Sequence, residues 1–533
     1  GEVAWSSEFL ANLSAQTVAP KWALEFMPGY DGLGPGADLV ITSHESADLN
    51  LGPEISVGGG RISPGTWSYT AGSWSVQVVG SLYTIIDAGV QRGNLARLMM
   101  GFEGWDVDDF ECVALGALSS IQGVAPVYTV TFSDILSHLQ SRHDNDASRL
   151  ALFDSLDLND ADLTPVTSAL TSNYDPATSS TVVVSNLSSF EIGDTRGVVM
   201  LSDDENEPFF LTYTSVTSTT TFNGILTSDL CNTTRVSLDT TKGAVAQAGA
   251  FLEGHPVDIA RQVLASTSGT SNGSYDDLPQ TWGLAVYDDW LDHEDMDDWK
   301  AIIGNPAGTT HDWEVVVLEG QASAFGWLSG ILAPAGIWIV VRQGQLSVRA
   351  AQNLDESSSD SFSPPLTAEV SITDDDIEAI TNHYLWHPEA SVEAMTTKVW
   401  YNSGHSSVTA PDSVSVTDLL LTTLPGTTWA EHDLTGVIFQ AHADPATDVA
   451  NRCHMWETRI PESISLQCRS LRLAQLCPGD VVSLTTDKLE GRLPETTDDG
   501  YVDELVMVTS VSVDWTSGIV DLELAAPSNV AGT

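Results

Sequence analysis

Apolar and polar residues alternate over many short stretches of the chain, and this period of two predicts a protein built mainly of β-strands. "WSVQVVGSLYTII" (74–86) is one such stretch, whereas "NLARLMMGFEGW" (94–105), with its two glycines, is predicted to be irregular. "APVYTVTFSDILSHLQSR" (125–142) predicts a strand that leads into a short amphipathic helix capped by Ser133. Residues 1–145 are therefore expected to form a small β-barrel or split sandwich.

The next segments differ in character. Residues 146–165 are predicted to be a solvated acidic connector, because a calcium-loop pattern at Asp157 and Asn159 fails where Asp162 replaces the required glycine. Residues 166–242 are rich in Ser, Thr and Val, and turn signals recur at short intervals. This spacing predicts a small all-β insert.

The middle of the chain, residues 243–385, changes to a mixed pattern. "HPVDIARQVLAS" (255–266) places apolar residues at near-helical spacing behind a proline, and "DDWLDHEDMDDWKAII" (288–303) predicts an acidic helix. "IWIVVRQGQLSVRA" (337–350) predicts a hairpin that turns at Gln343-Gly344. We therefore expect an α+β unit here.

The last segment, residues 386–533, returns to the β pattern. It contains "LCPGDVVSLTT" (476–486) and "LVMVTSVSVDWTSGIVDLELAA" (505–526), in which "DWTSGIV" predicts a turn between strands. The predicted fold class is thus mainly β with an α+β middle unit: a multidomain chain with two β-barrel domains plus a small β insert.

Charge is the strongest feature of the composition. The chain has 73 Asp and Glu against 20 Lys and Arg, a formal net charge of -53. Such a surface is suited to high salt, where the Debye length falls to about 3 Å at 1 M and self-repulsion is screened. The composition resembles that of halophile proteins. Binding to a free nucleic-acid backbone is not expected, because few cations are present to neutralise phosphates.

Segments that target or anchor a protein are not expected. No run of about 18 apolar residues predicts a membrane span. The first 16 residues, "GEVAWSSEFLANLSAQ", lack the basic and apolar regions of a signal peptide. The N-x-[ST] pattern for N-glycosylation occurs at Asn12, Asn186, Asn232 and Asn272. A Ser/Thr-rich chain contains several such patterns by chance, so glycosylation stays open.

The cysteines offer one loose cluster. An odd number of widely spaced cysteines argues against a disulfide framework; they are Cys112, Cys231, Cys453, Cys468 and Cys477. Cys453, His454, Cys468 and Cys477 could hold a metal or an iron–sulfur centre. No C-x-x-C pair occurs, so buried free thiols are the preferred interpretation, and neither metal nor cofactor ligands are predicted.

Reactive constellations are few. "GTSNG" (269–273) matches the G-x-S-x-G pattern but lacks the strand before it and the helix after it, so a Ser/Gly loop is preferred. Glu294 and Asp297 lie near Trp290 and Trp299 and could form a glycosidase pair. A helix with buried tryptophans and solvated acids is the preferred interpretation.

Structural or surface roles are expected for His293, His311 and His454. No catalytic residue is predicted.

The order of units resembles the baseplate hub or tail-tip hub proteins of tailed viruses. The stretches that carry the resemblance are "LAQLCPGDVVSLTT" with "VMVTSVSVDWTSGIVDLEL", "FFLTYTSVTSTTTFNGILTSD" (209–229) and "GHPVDIARQVLAS" (254–266). The resemblance implies tail-tube-like barrels, a homotrimer and a pseudo-sixfold ring. That ring would match a sixfold tail tube to a threefold tip in the virion.

The resemblance also implies partners. They are the tail tube protein, the distal tail protein, and tail-tip, fibre or tape-measure proteins, with no sequence-specific nucleic-acid binding. A lumen lined by carboxylates would repel DNA phosphates. Two alternatives stay open: a salt-adapted extracellular glycan-binding or glycan-cleaving β-protein, and a cell-surface adhesin. The first requires two carboxyl groups about 5–10 Å apart beside exposed tryptophan.

Overall fold

A computed structural model describes most of the 533 residues. The described residues are 5–15, 20–27, 39–43, 48–141, 167–185, 197–206, 209–217, 220–224, 236–265, 284, 286, 290–303, 313–317, 324–352, 354, 368–384, 396–401, 412–417, 429–434, 437–438, 444–458, 461–489 and 501–527. All structural statements below concern these residues.

Strands dominate the described chain. The strands are β1 Pro20–Met27, β2 Leu39–Thr42, β3 Leu49–Ser63, β4 Ser68–Thr70, β5 Ser73–Gly80, β6 Leu95–Phe102, β7 Glu111–Val124, β8 Val127–Asp134, β9 Thr167–Ala169, β10 Thr181–Val183, β11 Gly197–Ser202, β12 Phe209–Tyr213, β13 Ser215–Thr217, β14 Thr221–Asn223, β15 Val245–Gly254, β16 Trp313–Val317, β17 Ile337–Arg342, β18 Gln345–Ala350, β19 Ser371–Thr373, β20 Ile377–Tyr384, β21 Thr396–Tyr401, β22 Asp412–Thr417, β23 Trp429–Asp433, β24 Val437–Ile438, β25 Pro461–Cys468, β26 Val481–Thr486, β27 Tyr501–Asp514 and β28 Ile519–Pro527.

Helices are fewer and short. The α-helices are α1 Ser7–Ala15, α2 Tyr83–Asp87, α3 Ile135–Ser141, α4 Pro256–Ala265, α5 His293–Ile302, α6 Ala324–Leu332 and α7 Asp444–Thr458. Single 3-10 turns cover Val107–Asp109, Thr240–Lys242, Ala333–Ala335 and Leu471–Gln475.

One large sheet joins the two ends of the chain. Its strand order is β2-β1-β6-β7-β8-β5-β3-β27-β28-β25-β20, with β4 on β3 and with β26 and β19 continuing from β27. The first seven strands belong to the N-terminal part of the chain, and the remainder come from residues 371–384 and 461–527. The predicted β-rich units at the two ends of the chain therefore lie side by side in one hydrogen-bonded sheet.

Strand β27 forms the seam between the two halves. Its first part pairs with β26, from Tyr501 to Met507, and its second part pairs with β3, from Ser510 opposite Arg61 to Asp514 opposite Ser56. The β3–β27 register shifts between Ser510 and Ser512, which marks a bulge. One strand thus changes partner along its length and holds both halves together.

A run of three glycines lets the two strands approach at the seam. Gly58, Gly59 and Gly60 lie in β3 beside the bulge, and a Cβ added at Gly59 would lie 2.5 Å from the backbone oxygen of Val511 in β27. A backbone oxygen cannot move away as a flexible side chain can. The seam therefore requires glycine at this position.

Gly59→Ala is expected to weaken the seam, because overpacking a close contact costs about 1–3 kcal/mol. Hydrogen exchange should show faster exchange at the β27 amides of residues 510–514. The matched control is Gly330→Ala in α6, where an added Cβ meets no atom within 4 Å and where alanine favours the helix. Unchanged exchange at residues 510–514 in the Gly59→Ala variant would contradict the assignment of the seam.

The continuous apolar run in β27 has a simple cause: both faces of this part of the strand are covered. In β27, Leu505 and Met507 face a central core, whereas Val506 and Val508 face a separate core inside the C-terminal half. The N-terminal half has its own core as well. Since successive side chains point to opposite faces, β27 contributes to two cores.

The middle unit fills the central core. Helices α4, α5, α6 and α7 pack with the β17–β18 hairpin and with side chains from both halves of the large sheet. The sheet β12-β11-β15-β16-β24 connects this unit to the small insert, because the first part of β15 pairs with β11 and β9 and its second part pairs with β16. The insert has a core of its own around Tyr174, Tyr213 and Phe222.

Several sequence predictions are confirmed. The fold is mainly β, with large antiparallel sheets and an α+β middle unit. Helix α4 lies where the spacing after Pro256 placed it. The β17–β18 hairpin turns at Gln343 and Gly344 with φ of 50° and 77°, the positive values that a two-residue hairpin turn requires.

Other predictions were wrong. Residues 94–105 are not irregular, because β6 spans Leu95–Phe102; Gly101 lies where an added Cβ would meet the Phe110 ring at 2.2 Å. The cap of α3 is Asp134 rather than Ser133, since Asp134 Oδ1 accepts from Leu136 N at 2.8 Å. The last segment contains a long helix, α7, that its β pattern did not predict.

Strand pairing groups the chain into units differently from the predicted domain boundary between residues 385 and 386. β19 and β20 precede that boundary yet pair with β26 and β25 of the C-terminal half. Residues 396–458 follow it, yet Val399 and Leu434 lie in the central core. Sequence order and spatial grouping differ because long-range strand pairing, rather than local composition, decides which unit a strand joins.

Candidate functional site

The Pro-Gly-Asp turn before β26 packs against the hairpin of the middle unit. Trp338 Nε1 donates to Pro478 O at 3.2 Å. Gly479 has φ of 111°, and an added Cβ would lie 2.7 Å from the Trp338 ring and 2.8 Å from Arg349 Cβ. Glycine is therefore needed both for the backbone conformation and for the close approach. This turn is where the C-terminal half meets the middle unit.

Arg349 lies at the centre of this contact and is fully buried. Its Nε donates to Asp480 Oδ1 at 2.8 Å, and its Nη1 forms an ion pair with Asp295 Oδ2. Its guanidinium also lies 4.8 Å from the centroid of the Trp299 ring. One side chain thereby links β18, helix α5 and the turn before β26. We call Arg349, Asp295 and Asp480 the central network.

A second arginine extends the central network toward the surface. Arg342 Nη1 lies 3.3 Å from Asp292 Oδ2 and 3.2 Å from Asp295 Oδ1. Asp292 also caps α5, since its Oδ1 accepts from Asp295 N at 3.0 Å. Burial alone raises the pKa of Asp295, but the charges of Arg349 and Arg342 outweigh it and hold that pKa below its usual value. The carboxylate is therefore held in its ionised form.

Three tryptophans meet beside the central network. Trp67 comes from the turn between β3 and β4, Trp338 from β17 and Trp456 from α7. The Trp67 and Trp338 rings stack with centroids 5.5 Å apart, and Trp456 meets Trp67 edge-on at 5.8 Å. All three are buried. The N-terminal half is thus anchored to the middle unit at the same place as the C-terminal half.

A buried polar triad includes two residues of α7, the helix that carries Trp456. His432 is on β23, and Cys453 and Glu457 lie one helical turn apart on α7. One ligand atom from each lies within 4.8 Å of the others, and all three residues are buried. His432 Nε2 contacts Glu457 Oε1, and Thr397 Oγ1 donates to Glu457 Oε2 at 2.9 Å. We call His432, Cys453 and Glu457 the buried triad.

The predicted cysteine cluster is not brought together. Cys468 lies in the core of the C-terminal half, whereas Cys477 lies at the Pro-Gly-Asp turn, its Sγ 3.4 Å from Asp480 Oδ1. His454 is next to the triad, its Nδ1 3.2 Å from Thr397 Oγ1. Over the described residues, the metal-capable group is the buried triad. Of the four predicted residues, it includes only Cys453.

Burial controls the chemistry of the described thiols. Desolvation raises the pKa of Cys112 and of Cys468 to about 12, and it raises the pKa of Cys453 and Cys477 further. All four are free thiols. Since the thiolate is the nucleophile, none of them is activated for covalent chemistry. Cys231 lies outside the described residues.

The proposed glycosidase pair does not lie in a sugar site. Trp290 and Trp299 are 3% and 5% exposed, so neither offers a ring to a ligand. Glu294 is exposed, and Asp297 pairs with Arg261 Nη2 at 2.6 Å. His293 accepts from the same arginine through its backbone oxygen. This is the arrangement of buried tryptophans and solvated acids that the sequence favoured.

The remaining candidates have no described environment, with one exception. The G-x-S-x-G stretch 269–273, the acidic residues 157–162, His311 and the sequons at Asn186, Asn232 and Asn272 all lie outside the described residues. Asn12 lies on α1 and is half-buried.

Among the described helices, none has the length and apolar character needed to cross a bilayer.

Large apolar side chains are exposed at one end of the N-terminal half. Tyr83 and Ile86 on α2 are 72% and 63% exposed, and Val124 and Val127 at the tip of the β7–β8 hairpin are 83% and 41% exposed. α2 and this tip lie at the same end, because Gly80 N, just before α2, donates to the hairpin-tip oxygen of residue 126 at 2.8 Å. We call these four residues the apolar end.

Asp134 lies where β8 ends and α3 begins, and its side chain is buried. Its carboxylate accepts from Leu136 N at 2.8 Å and from Gly72 N at 3.4 Å. Burial raises its pKa from 3.8 to about 6. Because the pKa of this carboxyl is higher in the folded than in the unfolded protein, its protonated form stabilises the fold at pH below the unfolded-state pKa. This stabilisation is lost as pH rises through the folded-state pKa.

Asp134→Asn is expected to remove this pH dependence, because the amide oxygen still accepts from Leu136 N but does not titrate. The difference in unfolding free energy between wild type and variant should favour the variant progressively as pH rises from about 4 to about 6. Urea unfolding of both proteins across pH 4–7 measures this difference, in which other titrating groups cancel. A difference that is constant with pH would contradict the burial of this carboxyl.

Comparison with known proteins gives results only among solved structures: no family model and no curated sequence matches the chain. The 43 kDa tail protein of prophage MuSo2 from Shewanella oneidensis is 9% identical, with a TM-score of 0.36 over 96% of this chain and 100% of that one. Prophage tail protein gp18 from Listeria monocytogenes EGD-e is 8% identical, with a TM-score of 0.35 over 96% and 95%. A chain of a native gene transfer agent virion is 13% identical over 56% of this chain and 96% of that one, with a TM-score of 0.16. Two of these three solved structures are thus prophage tail proteins, and the third is part of a virion particle.

Sequence reasoning missed the central network and most of the buried triad. Arg349, Asp480 and Asp295 are far apart in sequence, and no local pattern connects them. The triad carried a usable signal: Cys453 and Glu457 are four residues apart, a spacing that places both on one face of a helix. That signal requires α7 to be recognised first.

Proposed function

We propose that the chain is a structural virion protein that forms a trimeric tail or baseplate hub. In this role it joins the sixfold tail tube to the threefold tail tip and surrounds the DNA exit channel. The observation that carries the proposal is the side-by-side pairing of two β units in one chain through the β3–β27 seam. Three copies would present six such units, the number that a sixfold tube requires.

Closure of each half into a barrel is part of this proposal. In the C-terminal half, the strand path begins at β20 and ends at β19, and a single tight turn connects these two strands, with Asp376 N donating to Thr373 O. The ends of the path therefore lie next to each other around one core. In the N-terminal half, β2 at the end of the path packs near β3 at the seam. Both arrangements support two cylinders.

The buried contacts between units support a rigid role. The central network and the three tryptophans connect both halves to the middle unit through buried side chains. A protein that transmits symmetry from a tube to a tip needs its two barrels in a fixed relation. Flexible joints between units would not keep six barrels in register.

Exposed apolar residues supply surfaces for assembly. Exposed large apolar groups on a folded unit indicate an interaction surface. The apolar end lies opposite the middle unit, because the β3 end near Leu49 is far from the Trp67 turn. We assign the apolar end to a neighbouring ring, formed by the tail tube or distal tail protein. Carboxylates along the lumen would repel DNA phosphates and limit adhesion during passage.

The chain acts in this proposal without catalysis and is located in the virion tail. The thiols of Cys453 and Cys477 are buried and protonated, and the tryptophans near Glu294 are covered. These observations favour a scaffold over the glycan-cleaving alternative. They do not rest on the similarity to tail proteins.

Light scattering in high salt tests the proposal. The expected mass is three times the 56.9 kDa chain mass, constant over a wide range of protein concentration. A monomer at all concentrations in both high and low salt would overturn the trimer. Polysaccharide cleavage by such a monomer would instead favour the glycan-cleaving alternative.

A further inference from the structure

The buried triad has the donor set of a metal site. An imidazole nitrogen, a thiol sulfur and a carboxylate oxygen converge from His432, Cys453 and Glu457, with one ligand atom from each within 4.8 Å of the others. In a tetrahedral zinc site, metal–ligand distances of about 2.0–2.3 Å place the ligand atoms roughly 3.3–3.8 Å apart. The separations in the triad are within small side-chain adjustments of that arrangement.

The backbone positions these three residues rigidly. Cys453 and Glu457 project from one face of α7, and His432 lies on β23, which pairs in parallel with β21 so that Val399 is opposite His432. Helix α7 packs against β21. Two secondary-structure elements, rather than loops, therefore carry the ligands, as precise metal sites require.

A supporting residue orients the carboxylate. Thr397 Oγ1 donates to Glu457 Oε2 at 2.9 Å, which leaves Oε1 directed at His432. Thr397 is itself fully buried and lies 3.2 Å from His454 Nδ1. Hydrogen bonds of this kind to a ligating carboxylate fix its orientation in metal sites.

We propose that His432, Cys453 and Glu457 bind a divalent zinc ion that clamps helix α7 to strand β23. Mixed nitrogen, sulfur and oxygen donors suit zinc among the common divalent metals. Binding forms a bond from zinc to Cys453 Sγ, and the thiol proton is released to solvent. Zinc has no redox role in this step, and a water molecule takes the fourth position. The inference is independent of the proposed hub function.

The location explains what the ion would do. Cys453 Sγ lies against Gly336, where an added Cβ would be 2.7 Å away, and α7 also carries Trp456 of the tryptophan contact. A clamp on α7 therefore fixes the helix that anchors the N-terminal half. The strongly acidic chain also raises the local concentration of cations near its surface, which favours loading.

Metal analysis of the full-length chain tests the proposal. Reduced protein is stripped with chelator, dialysed against zinc chloride in 1 M KCl with excess magnesium, and measured for zinc content. We expect about one zinc per chain. Cobalt(II) loaded in place of zinc should give a thiolate-to-cobalt charge-transfer band, a signature that requires a sulfur ligand. Absence of bound zinc, or a cobalt spectrum without that band, would overturn the proposal.

Variants locate the ion. Cys453→Ser and His432→Gln should lose zinc and the cobalt band, whereas Cys468→Ser, which alters a buried thiol in a different core, should keep both. Equal zinc in Cys453→Ser and wild type would show adventitious binding to surface carboxylates and would refute the site. If the triad variants do not fold, the cobalt charge-transfer band of the wild-type chain, which should persist in Cys468→Ser, decides the question.

Discussion

Replacing Arg349 with methionine is expected to destabilise the protein by about 3–5 kcal/mol, because the change leaves the buried carboxylate of Asp480 without its counter-charge and leaves Asp295 paired with Arg342 alone. Asp295 and Asp480 are 7% and 3% exposed, so water cannot take over the lost pairing. Methionine keeps most of the packing volume against Trp299. The loss should therefore come from charge rather than from a cavity. The midpoint of urea unfolding, followed by tryptophan fluorescence, measures it.

The control for this prediction is Arg469→Ala. Arg469 pairs with Glu378 at the surface, and its side chain is 71% exposed. Exposed ion pairs contribute little to stability, so the midpoint should stay at the wild-type value. Adding Asp480→Asn to Arg349→Met should recover part of the loss, since one unpaired charge is removed. A midpoint for Arg349→Met equal to that of Arg469→Ala would show that the central network does not hold the units together.

The second large effect is a dependence of folding and assembly on salt. A net charge of -53 on one chain gives strong self-repulsion, and three copies in one ring would increase it. The Debye length is about 10 Å at 0.1 M and about 3 Å at 1 M. The melting temperature should therefore rise steeply as KCl increases over this range. Thermal unfolding by circular dichroism measures the change.

A non-ionic osmolyte separates screening from general stabilisation. Sucrose strengthens effective burial without screening charge, so it should not replace KCl at low ionic strength. Neutralising exposed carboxylates, as in Glu294→Gln with Asp298→Asn, should lower the salt that is required. A melting temperature that does not change with KCl would contradict the prediction that this acidic surface is adapted to salt.

Much of the local structure could be predicted because local chemistry decides it. Gln343-Gly344 forms its turn since both residues adopt positive φ, and Pro256 begins α4 where its fixed φ suits the first turn. The strand-like pattern of residues 505–526 predicted the strand that contains the apolar run 505–508. It did not reveal that both faces are buried, because that depends on which neighbours cover the sheet.

The rest depended on contacts between distant parts of the chain. The β3–β27 pairing joins Arg61 to Ser510, and no sequence pattern sets that partnership. Residues 95–102 form a strand despite Gly101, because packing against Phe110 outweighs local propensity. Helix α7 had a detectable signal, in the helical spacing of Ala446, Val449 and Cys453, within a segment whose remaining pattern favoured strands.

The central network and the seam together explain the Pro-Gly-Asp turn. Asp480 follows Gly479 and reaches Arg349, while Gly479 N donates to Val508 O of β27 at 2.8 Å. The same turn thus connects the middle unit to the strand that joins the two halves. A turn with this task needs glycine for close approach and a carboxylate for the buried arginine, and it needs no reactive group.

Electron cryo-microscopy of the chain in high salt tests the central claim most directly. The account predicts a closed ring in which a threefold axis relates the copies, with two adjacent β cylinders from each copy alternating around a central hole. Each pair of cylinders should be joined through β3 and β27. Particles without a threefold axis, or copies whose two β units lie apart from each other, would contradict the account.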